Sequence, residues 1–541
     1  MNTNVLYYGD NLDILRHYIP DDSIDLIYLD PPFNSNRSYN VLFREESGAV
    51  SHAQIEAFED TWNWGGAAET YDEMIRGSSQ GVARVLKALV DGLGHNEITA
   101  YLTMMAIRLV ELGRVLKPTG SIYLHCDPVA GHYLKVVMDA VFGPKNFVNQ
   151  IVWKRSSAHS DVTQGARHFG RIQDLILFYA KSANHTWNPI YGPYDESYTD
   201  SFYRHVEAES GRRYRLGDLT AAKPGGDTLY EWKGVKPYKG RYWAYSKRNM
   251  EEFEARGRLV YSRRGMPQYK RYLDEMPGQL AQDIWTDIRP VGPGTQERLG
   301  YPTQKPLALL ERIINASSNP GDTVLDPFCG CGTAVHAAHK LGRRWIGIDV
   351  THLAIGLIRR RMQDAFPGLA IEVIGEPVDL TGAQELARKD KYQFQWWALD
   401  KLGAQPVAGK KKGADQGIDG VMPFFAGTAP GKPDYARAIV SVKGGDNVSV
   451  AMVRDLKGVL EREKEPIGIL LTLAPPTKPM LTEAAASGFY ENEFWKRKFP
   501  RLQIITVLDI LNGKRPEMPW GASPFAKAPR EKEKAEQERL V

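Results

Sequence analysis

At 541 residues the chain is too long for one hydrophobic core and implies about two to four domains. Its 43% apolar and 25% charged residues exclude a fibrous or wholly disordered protein, and a net charge of only +4 confines any nucleic-acid surface to a local patch. Cys126, Cys329 and Cys331 are too few for a disulfide framework, no run approaches the ~18 apolar residues of a membrane span, and the polar N-terminus is not a signal peptide. A cytoplasmic protein is expected.

Taken in order, the chain opens with a short strand, Asn4–Tyr8, which Gly9-Asp10 breaks before a helix over Asn11–Tyr18. Asp10 reads either as a turn acid or as the border of a ligand pocket. The apolar strand Ser23–Leu29 then runs into Asp30-Pro31-Pro32-Phe33. Consecutive prolines end the hydrogen-bond ladder and fix the backbone. In an open α/β sheet the carboxyl ends of strands are where ligands sit. The tetrapeptide is therefore either a plain turn or a device presenting a carboxylate, a carbonyl that no proline N–H can satisfy, and an aromatic ring.

Residues 183–295 leave this strand–helix rhythm and interleave cations with aromatics: Arg212 to Arg215, then Trp232, Lys233, Lys239, Arg241, Tyr242 and Trp243. Cations neutralise phosphates, and aromatic faces and Arg forks can fill a groove. As a region this favours a nucleic-acid surface, with Arg212, Arg215, Lys233, Lys239 and Arg241 as candidates; for any single residue the alternative is a solvated, irregular surface whose aromatics form a small core.

A short buried strand, Thr323–Asp326, leads into the glycine-bearing loop Pro327–Gly332, a helix over Ala334–Leu341 and a second strand, Arg344–Asp349. This is the plan by which a Rossmann-type sheet holds an adenosine-containing cofactor, with an acid at the next strand tip for the ribose hydroxyls. Asp349 stands within the expected distance of about 20 residues. The loop is not GxGxxG, and Asp326 would repel a pyrophosphate. That favours a cofactor cationic near its reacting end, S-adenosylmethionine, over a dinucleotide; the remaining alternative is a βαβ turn whose glycines serve packing alone. Cys329 and Cys331 lack a second ligand pair at zinc spacing and read as small loop residues.

Asp30–Phe33 (DPPF) resembles the catalytic motif of amino-methylating DNA methyltransferases, and Asp326–Gly330 (DPFCG) resembles their cofactor-binding motif. Leu112–Asp127, Phe169–Lys181 and Tyr301–Gly321 are similar to the family's helix-turn-strand motif, a later core strand and the segment before the cofactor strand. Catalytic motif first and cofactor motif last is the order of the β class, which includes the Mod subunits of type III systems. The resemblance covers residues 1–375 and implies a Rossmann-like α/β methyltransferase sheet in permuted order. Residues 1–182 would be its catalytic half, 183–295 an inserted target-recognition region, and 296–380 its cofactor-binding half.

By the resemblance, Asp30, Pro31, Pro32 and Phe33 are catalytic. Asp10, Lys305, Asp326, Pro327, Phe328, Gly330 and Asp349 would hold S-adenosylmethionine, with Lys305 and Pro306 closing over its methionine end. The implied activity is sequence-specific methylation of the N6 amino group of a flipped-out adenine in double-stranded DNA. DPPF rather than SPPY favours adenine; N4-cytosine methylation is the alternative.

After residue 380 the composition changes, and Arg359–Arg361 with the polar run Thr381–Lys391 reads as a domain boundary. A helix over Tyr392–Leu402, strands at Ala438–Val442 and Ile467–Leu471, and a helix over Met452–Glu463 between them mark residues 381–518 as a further α/β domain. It resembles the Mrr-like branch of the PD-(D/E)xK restriction endonucleases. In that pattern Asp419 is the metal-binding aspartate and Lys443 positions the hydrolytic water, but Ser441, a weak Mg2+ ligand, stands where an acid or glutamine is expected. The domain is either an Mg2+-dependent nuclease, making the chain a restriction–modification fusion, or a degenerate DNA-binding module. Residues 519–541, rich in Pro, Lys and Glu, read as a disordered tail. Expected partners are double-stranded DNA and a restriction or other defence-system subunit, with no membrane; a homodimer is one admissible assembly.

Overall fold

Nine strands join in one sheet among the described residues of this computed structural model, which describes residues 1–32, 64–77, 80–156, 167–292, 295–299, 301, 303–407, 417–429 and 432–519. They are β1 (Val5–Tyr8), β2 (Ile24–Leu29), β3 (Leu116–Cys126), β4 (Phe147–Lys154), β5 (Gln173–Ala180), β6 (Ile284–Trp285), β7 (Thr323–Asp326), β8 (Arg344–Asp349) and β9 (Glu372–Ile374). Their spatial order is β6-β4-β5-β3-β2-β7-β8-β1-β9. β5 runs against β3 and β4, and the other pairs are parallel. The N-terminal strand β1 is enclosed by late segments, Val5 lying opposite Ile346 on one side and Glu372 on the other.

Both faces of this sheet are covered, which is why β2 and β7 read as unbroken apolar runs rather than alternating ones. One face packs on α1 (Asn11–Tyr18), α2 (Trp64–Gly77), α3 (Gln80–Leu93), α4 (Glu97–Val115) and α5 (Gly131–Phe142), through Leu15, Met74, Leu86, Leu109 and Val137. The other packs on α6 (Leu307–Ser317), α7 (Thr333–Lys340) and α8 (His352–Ala365), through Leu310, Ala337 and Ile358. No helix among the described residues is long and apolar enough to cross a membrane.

Two sequence expectations change here. The strand expected over Phe169–Lys181 begins only at Gln173, and Phe169 is 98% exposed; the buried run starts at Asp174. The supposed boundary is helical. Arg359–Arg361 lie inside α8, and the polar run forms most of α9 (Leu380–Lys389), capped by the Asp379 side chain on Gly382 N–H. Ala383 and Leu386, three residues apart, supply the buried stripe that the run's polar majority conceals.

The C-terminal part builds a five-stranded sheet, β10 (Gln405–Pro406), β11 (Gly420–Ala429), β12 (Lys432–Lys443), β13 (Ile467–Thr472) and β14 (Leu502–Thr506), in that order. β10, β11 and β12 pair antiparallel, and β12, β13 and β14 parallel. α9 and α10 (Lys391–Leu402) contribute to the core on one face, and α11 (Val450–Glu463) and α12 (Lys478–Ala486) to that on the other.

Pro189–Gln282 forms a separate compact unit. Its four-stranded antiparallel sheet joins Leu259–Tyr261, Pro267–Tyr272, Arg213–Asp218 and His205–Val206, and its own small core is Leu219, Trp232, Trp243 and Met250.

Candidate active site

Four neighbouring strands bring the sequence-predicted residues to one edge of the large sheet. β7 pairs with β2 so that Leu325 faces Ile27, which carries Asp30 two residues beyond the position opposite Asp326. β7 pairs with β8 with Asp326 opposite Gly347, and β8 with β1 with Asp349 opposite Tyr8. Three carboxylates therefore end three adjacent parallel strands. Lys305, from the segment just before α6, donates from Nζ to Asp30 Oδ2; the two side chains are 10% and 17% exposed.

Each carboxylate has a distinct environment. Asp326 is buried, and its Oδ1 accepts Phe328 N–H at 3.0 Å. Burial, reinforced by the Asp30 and Asp349 charges, raises its proton affinity well above the carboxylate range. Asp349 accepts Gly330 N–H on Oδ2 at 3.0 Å, and Thr351 N–H and Oγ1–H on Oδ1, each at 2.9 Å. Burial nevertheless pushes its pKa up to about 6.

The loop between β7 and α7 needs its glycines. Gly330 and Gly332 have φ of +49° and +75°; a Cβ on Gly330 would lie 3.2 Å from the Tyr301 hydroxyl, and one on Gly332 2.9 Å from Ile358. From beneath, the buried Arg361 donates to Cys331 O at 3.2 Å, Thr333 Oγ1 at 3.0 Å and His336 Nδ1 at 3.1 Å. From the side, Asn11 Nδ2 donates to Pro327 O at 2.8 Å.

Asp10 serves as the N-cap of α1, accepting Leu12 N–H at 2.7 Å, and pairs with Arg108, whose Nη2 lies 2.9 Å from both carboxylate oxygens. Arg108 also donates from Nε to Asn11 Oδ1 at 2.5 Å. Pro31 is buried and Pro32 half-buried beside Asp30. Phe33 lies outside the described residues.

A buried polar chain that sequence reading missed runs across the sheet on the same face as Asp30. The Tyr28 hydroxyl is 3.0 Å from His125 Nδ1, His125 Nε2 is 3.1 Å from Asp174 Oδ2, and Arg155 Nε is 3.2 Å from Asp174 Oδ1. Tyr28 precedes Asp30 by one strand repeat. Burial alone would raise the Asp174 carboxyl; the His125 hydrogen bond and the Lys305 and Arg155 charges outweigh it and hold it below its ordinary range. The sequence signal was a histidine inside the apolar run of β3.

In the Pro189–Gln282 unit, several DNA-contact candidates are engaged within the unit. Arg212 donates to Asp274 at 2.9 Å and Glu275 at 2.7 Å and lies 3.8 Å over the Tyr272 ring. Lys233 pairs with Glu254 at 2.5 Å, and Arg241 with Asp218 at 3.2 Å. Arg215 donates to the Tyr198 hydroxyl at 3.3 Å. Lys239 is exposed and has no ion pair among the described residues.

In the C-terminal sheet, Gly420 pairs with Val440, so Asp419 stands opposite Ser441. Asp419 Oδ2 accepts Val442 N–H at 2.6 Å and Ser441 Oγ–H at 3.3 Å. The described residues hold no cluster of three or more His, Cys, Asp or Glu side chains able to bind a metal. Asp419 Oδ2 is thus engaged by β12, and the residue across from it offers a hydroxyl rather than a second carboxylate.

Residues 93–359 match the N6_N4_Mtase family model, described as DNA methylase. The type II methyltransferase M.EcaI of Enterobacter cloacae is 34% identical over 266 residues, covering 48% of this chain and 57% of the relative. The type III restriction-modification enzyme StyLTI Mod subunit of Salmonella typhimurium is 29% identical, covering 62% of this chain and 50% of the relative. DNA adenine methyltransferase YhdJ of Escherichia coli is 26% identical, covering 66% and 83%. The chain thus spans only about half the length of the first two relatives. Residues 93–359, which carry Lys305, Asp326 and Asp349, are thus similar to the DNA methylase family model.

Proposed function

We propose that the chain transfers the methyl group of S-adenosylmethionine to the N6 amino group of an adenine in double-stranded DNA, at a specific sequence. The observation that carries this reading is the meeting of Asp30, Asp326 and Asp349 at adjacent strand tips, with Lys305 as the cation seated on Asp30. Three carboxyl groups against one ammonium favour a cationic ligand, and the bare backbone at Gly330 lets that ligand approach closely. Asp349 and the Pro327–Gly330 turn would hold the adenosine half, and Asp326 and Phe328 the methionine half. When bound, S-adenosylmethionine supplies an electrophilic methyl group on a sulfonium.

The chain's own residues do the rest. An exocyclic amino nitrogen is a poor nucleophile because its lone pair is delocalised into the base. Asp30 and the Pro31 carbonyl accept hydrogen bonds from its N–H groups and draw it toward a tetrahedral shape, aiming the lone pair at the methyl carbon. The new N–C bond would form as the donor's S–CH3 bond breaks and leaves a neutral thioether; the nitrogen would then become acidic, and Asp30 stands where its proton would leave. Fixed acceptors of this kind typically contribute ~10²–10³-fold. The base must leave the duplex to reach the strand tips, and Phe33, next to Pro32 in sequence, is the aromatic assigned to stack on it.

Residues 183–295 are read as the target-recognition region, and the C-terminal sheet as a restriction-endonuclease-like DNA-binding module. Its antiparallel hairpin followed by parallel βαβ strands supports that reading, while the engaged Asp419 speaks against cleavage. A restriction subunit is the proposed protein partner, and a cytoplasmic location follows from the substrate. Incubation with methyl-labelled S-adenosylmethionine and DNA, followed by nucleoside analysis, tests the function. Label in N6-methyladenine lost in Asp30→Ala supports it, label in cytosine moves the target to N4, and no label with any duplex overturns it.

A further inference from the structure

The mechanism above uses nothing from the C-terminal part, yet helix α10 buries side chains in two separate clusters. Phe394, Trp397, Leu399 and Leu402 sit in the C-terminal core, whereas Trp396 packs with Leu353, Tyr301 and Tyr392. A helix that buries aromatics in two clusters lies between two layers. Its second neighbour is α8, the helix that begins three residues after Asp349. The approach is close: a Cβ on Gly356 would lie 2.8 Å from Asp400 Oδ1. Half-buried ion pairs fix the contact, Arg359 to Asp400 at 2.6 Å and to Glu376 at 3.1 Å, and Lys401 to Glu376 at 2.5 Å.

At the end of this junction nearest the site, Gln393 Oε1 accepts His352 N–H at 2.9 Å. That N–H belongs to the first turn of α8, where no intrahelical acceptor exists. The His352 ring in turn stacks on Tyr8, with centroids 3.6 Å apart, and Tyr8 is the strand partner of Asp349. Through Tyr301, the Trp396 cluster also reaches Gly330. One helix of the appended domain thus touches the turn behind Asp349 and the residue that limits the glycine loop.

We infer that Gln393 and Trp396 are positioning residues for the methyl donor: α10 closes the outer wall of the adenosine site, so the C-terminal domain sets cofactor affinity. The inference rests on reading the Asp349 edge as the S-adenosylmethionine site. With α10 in place, the turn at Thr351–His352 and the Tyr301 ring are already fixed when the ligand arrives, so less order is lost on binding. Gln393 acts through His352 and Trp396 through Tyr301, so the effect falls on binding of the donor rather than on transfer.

The test titrates S-adenosylmethionine into the full chain by calorimetry, alongside steady-state methylation and thermal unfolding. Gln393→Ala and Trp396→Leu are expected to weaken binding and raise the donor's KM roughly 5- to 20-fold. kcat at saturating donor and KM for DNA should stay near wild type. Gln393→Glu keeps an acceptor for His352 N–H and should restore affinity, and Arg454→Ala, on an exposed pair of α11 and α12, serves as the control. Wild-type affinity in both Gln393→Ala and Trp396→Leu overturns the inference. So does a parallel fall of kcat, DNA affinity and Tm, which would mean general loosening. If the wild-type chain itself binds no S-adenosylmethionine, the underlying reading of the edge fails and takes the inference with it.

Discussion

Lys305 and Asp30, 275 positions apart in sequence, share one ion pair at the edge of the large sheet. The resemblance places Lys305 over the methionine end of a cofactor, and its ammonium is seated on the Asp30 carboxylate. Removing Lys305 leaves that carboxylate uncompensated next to Asp326. Lys305→Met should therefore destabilise the fold, by less than the ~3–5 kcal/mol of a fully enclosed pair because both groups retain some exposure. Adding Asp30→Asn to Lys305→Met should recover part of the loss. Urea midpoints of the four members of that cycle decide it, and strictly additive effects would show that the pair is not coupled.

The Asp349 carboxyl, raised to about 6 by burial, sets a pH limit on donor binding. Ionised, it would accept the ribose hydroxyls of the proposed donor; protonated, it would lose acceptor capacity. S-Adenosylmethionine affinity should fall as pH drops through about 6. In the unliganded chain the sign for stability is opposite: the folded state holds the proton more tightly than the unfolded state. This group's contribution is therefore greatest in acid and is lost as pH rises toward 6. Calorimetric Kd between pH 5 and 7.5 would expose the limb, and Asp349→Asn should flatten it.

The Asp174 carboxyl has the reverse character. Held below its ordinary range chiefly by the His125 hydrogen bond against burial, it stabilises the fold above its unfolded pKa and ceases to do so as pH falls through the folded value. Asp174→Asn should cost about 1–3 kcal/mol at neutral pH, with the deficit narrowing in acid. Unfolding curves at pH 7 and at about pH 2.5, below the unfolded carboxyl value of about 3.9, test this; an equal deficit at both would refute the charge argument. His125→Ala should also reduce methyl transfer, because Tyr28 braces the strand that presents Asp30.

The two loop glycines should separate on substitution. In Gly332→Ala, a left-handed backbone conformation costs ~1–2 kcal/mol, and the new methyl meets Ile358 at 2.9 Å, so Tm should fall. In Gly330→Ala the methyl faces the movable Tyr301 hydroxyl at 3.2 Å. Its main effect should be weaker donor binding, read by calorimetry.

For the C-terminal sheet, millimolar Mg2+ should leave Tm unchanged and produce no cleavage of unmethylated DNA. Asp419→Ala, which orphans the Val442 N–H, should lower stability by about 1–2 kcal/mol while leaving methyl transfer intact. Mg2+-dependent cleavage lost in Lys443→Ala would reverse this reading.

The strands bearing Asp30, Asp326 and Asp349 were legible because each is a short apolar run that ends on an acid, a pattern set locally. The partners of those acids were not. Arg108 pairs with Asp10 across 98 positions, His125 meets Asp174 across 49, and Arg361 reaches Cys331 across 30. Such pairs depend on strand order and helix placement, which no local pattern encodes. The same limit explains the misread boundary: three consecutive arginines look solvated, yet Arg361 is buried beneath the glycine loop and Arg359 anchors the C-terminal domain. In the Pro189–Gln282 unit, a cation-rich sequence concealed that Arg212, Lys233 and Arg241 already have acidic neighbours.

The enclosure of β1 between β8 and β9 has a consequence for synthesis. Residues 5–8 are made long before either of their strand neighbours, which do not exist until translation passes residue 349 and then 374. At ~5–20 residues per second that is roughly 20–70 s during which Val5–Tyr8 has both edges open. The nascent strand is thus a sticky ribbon awaiting its late-made slot, and chaperone capture during that interval should raise the yield of active protein.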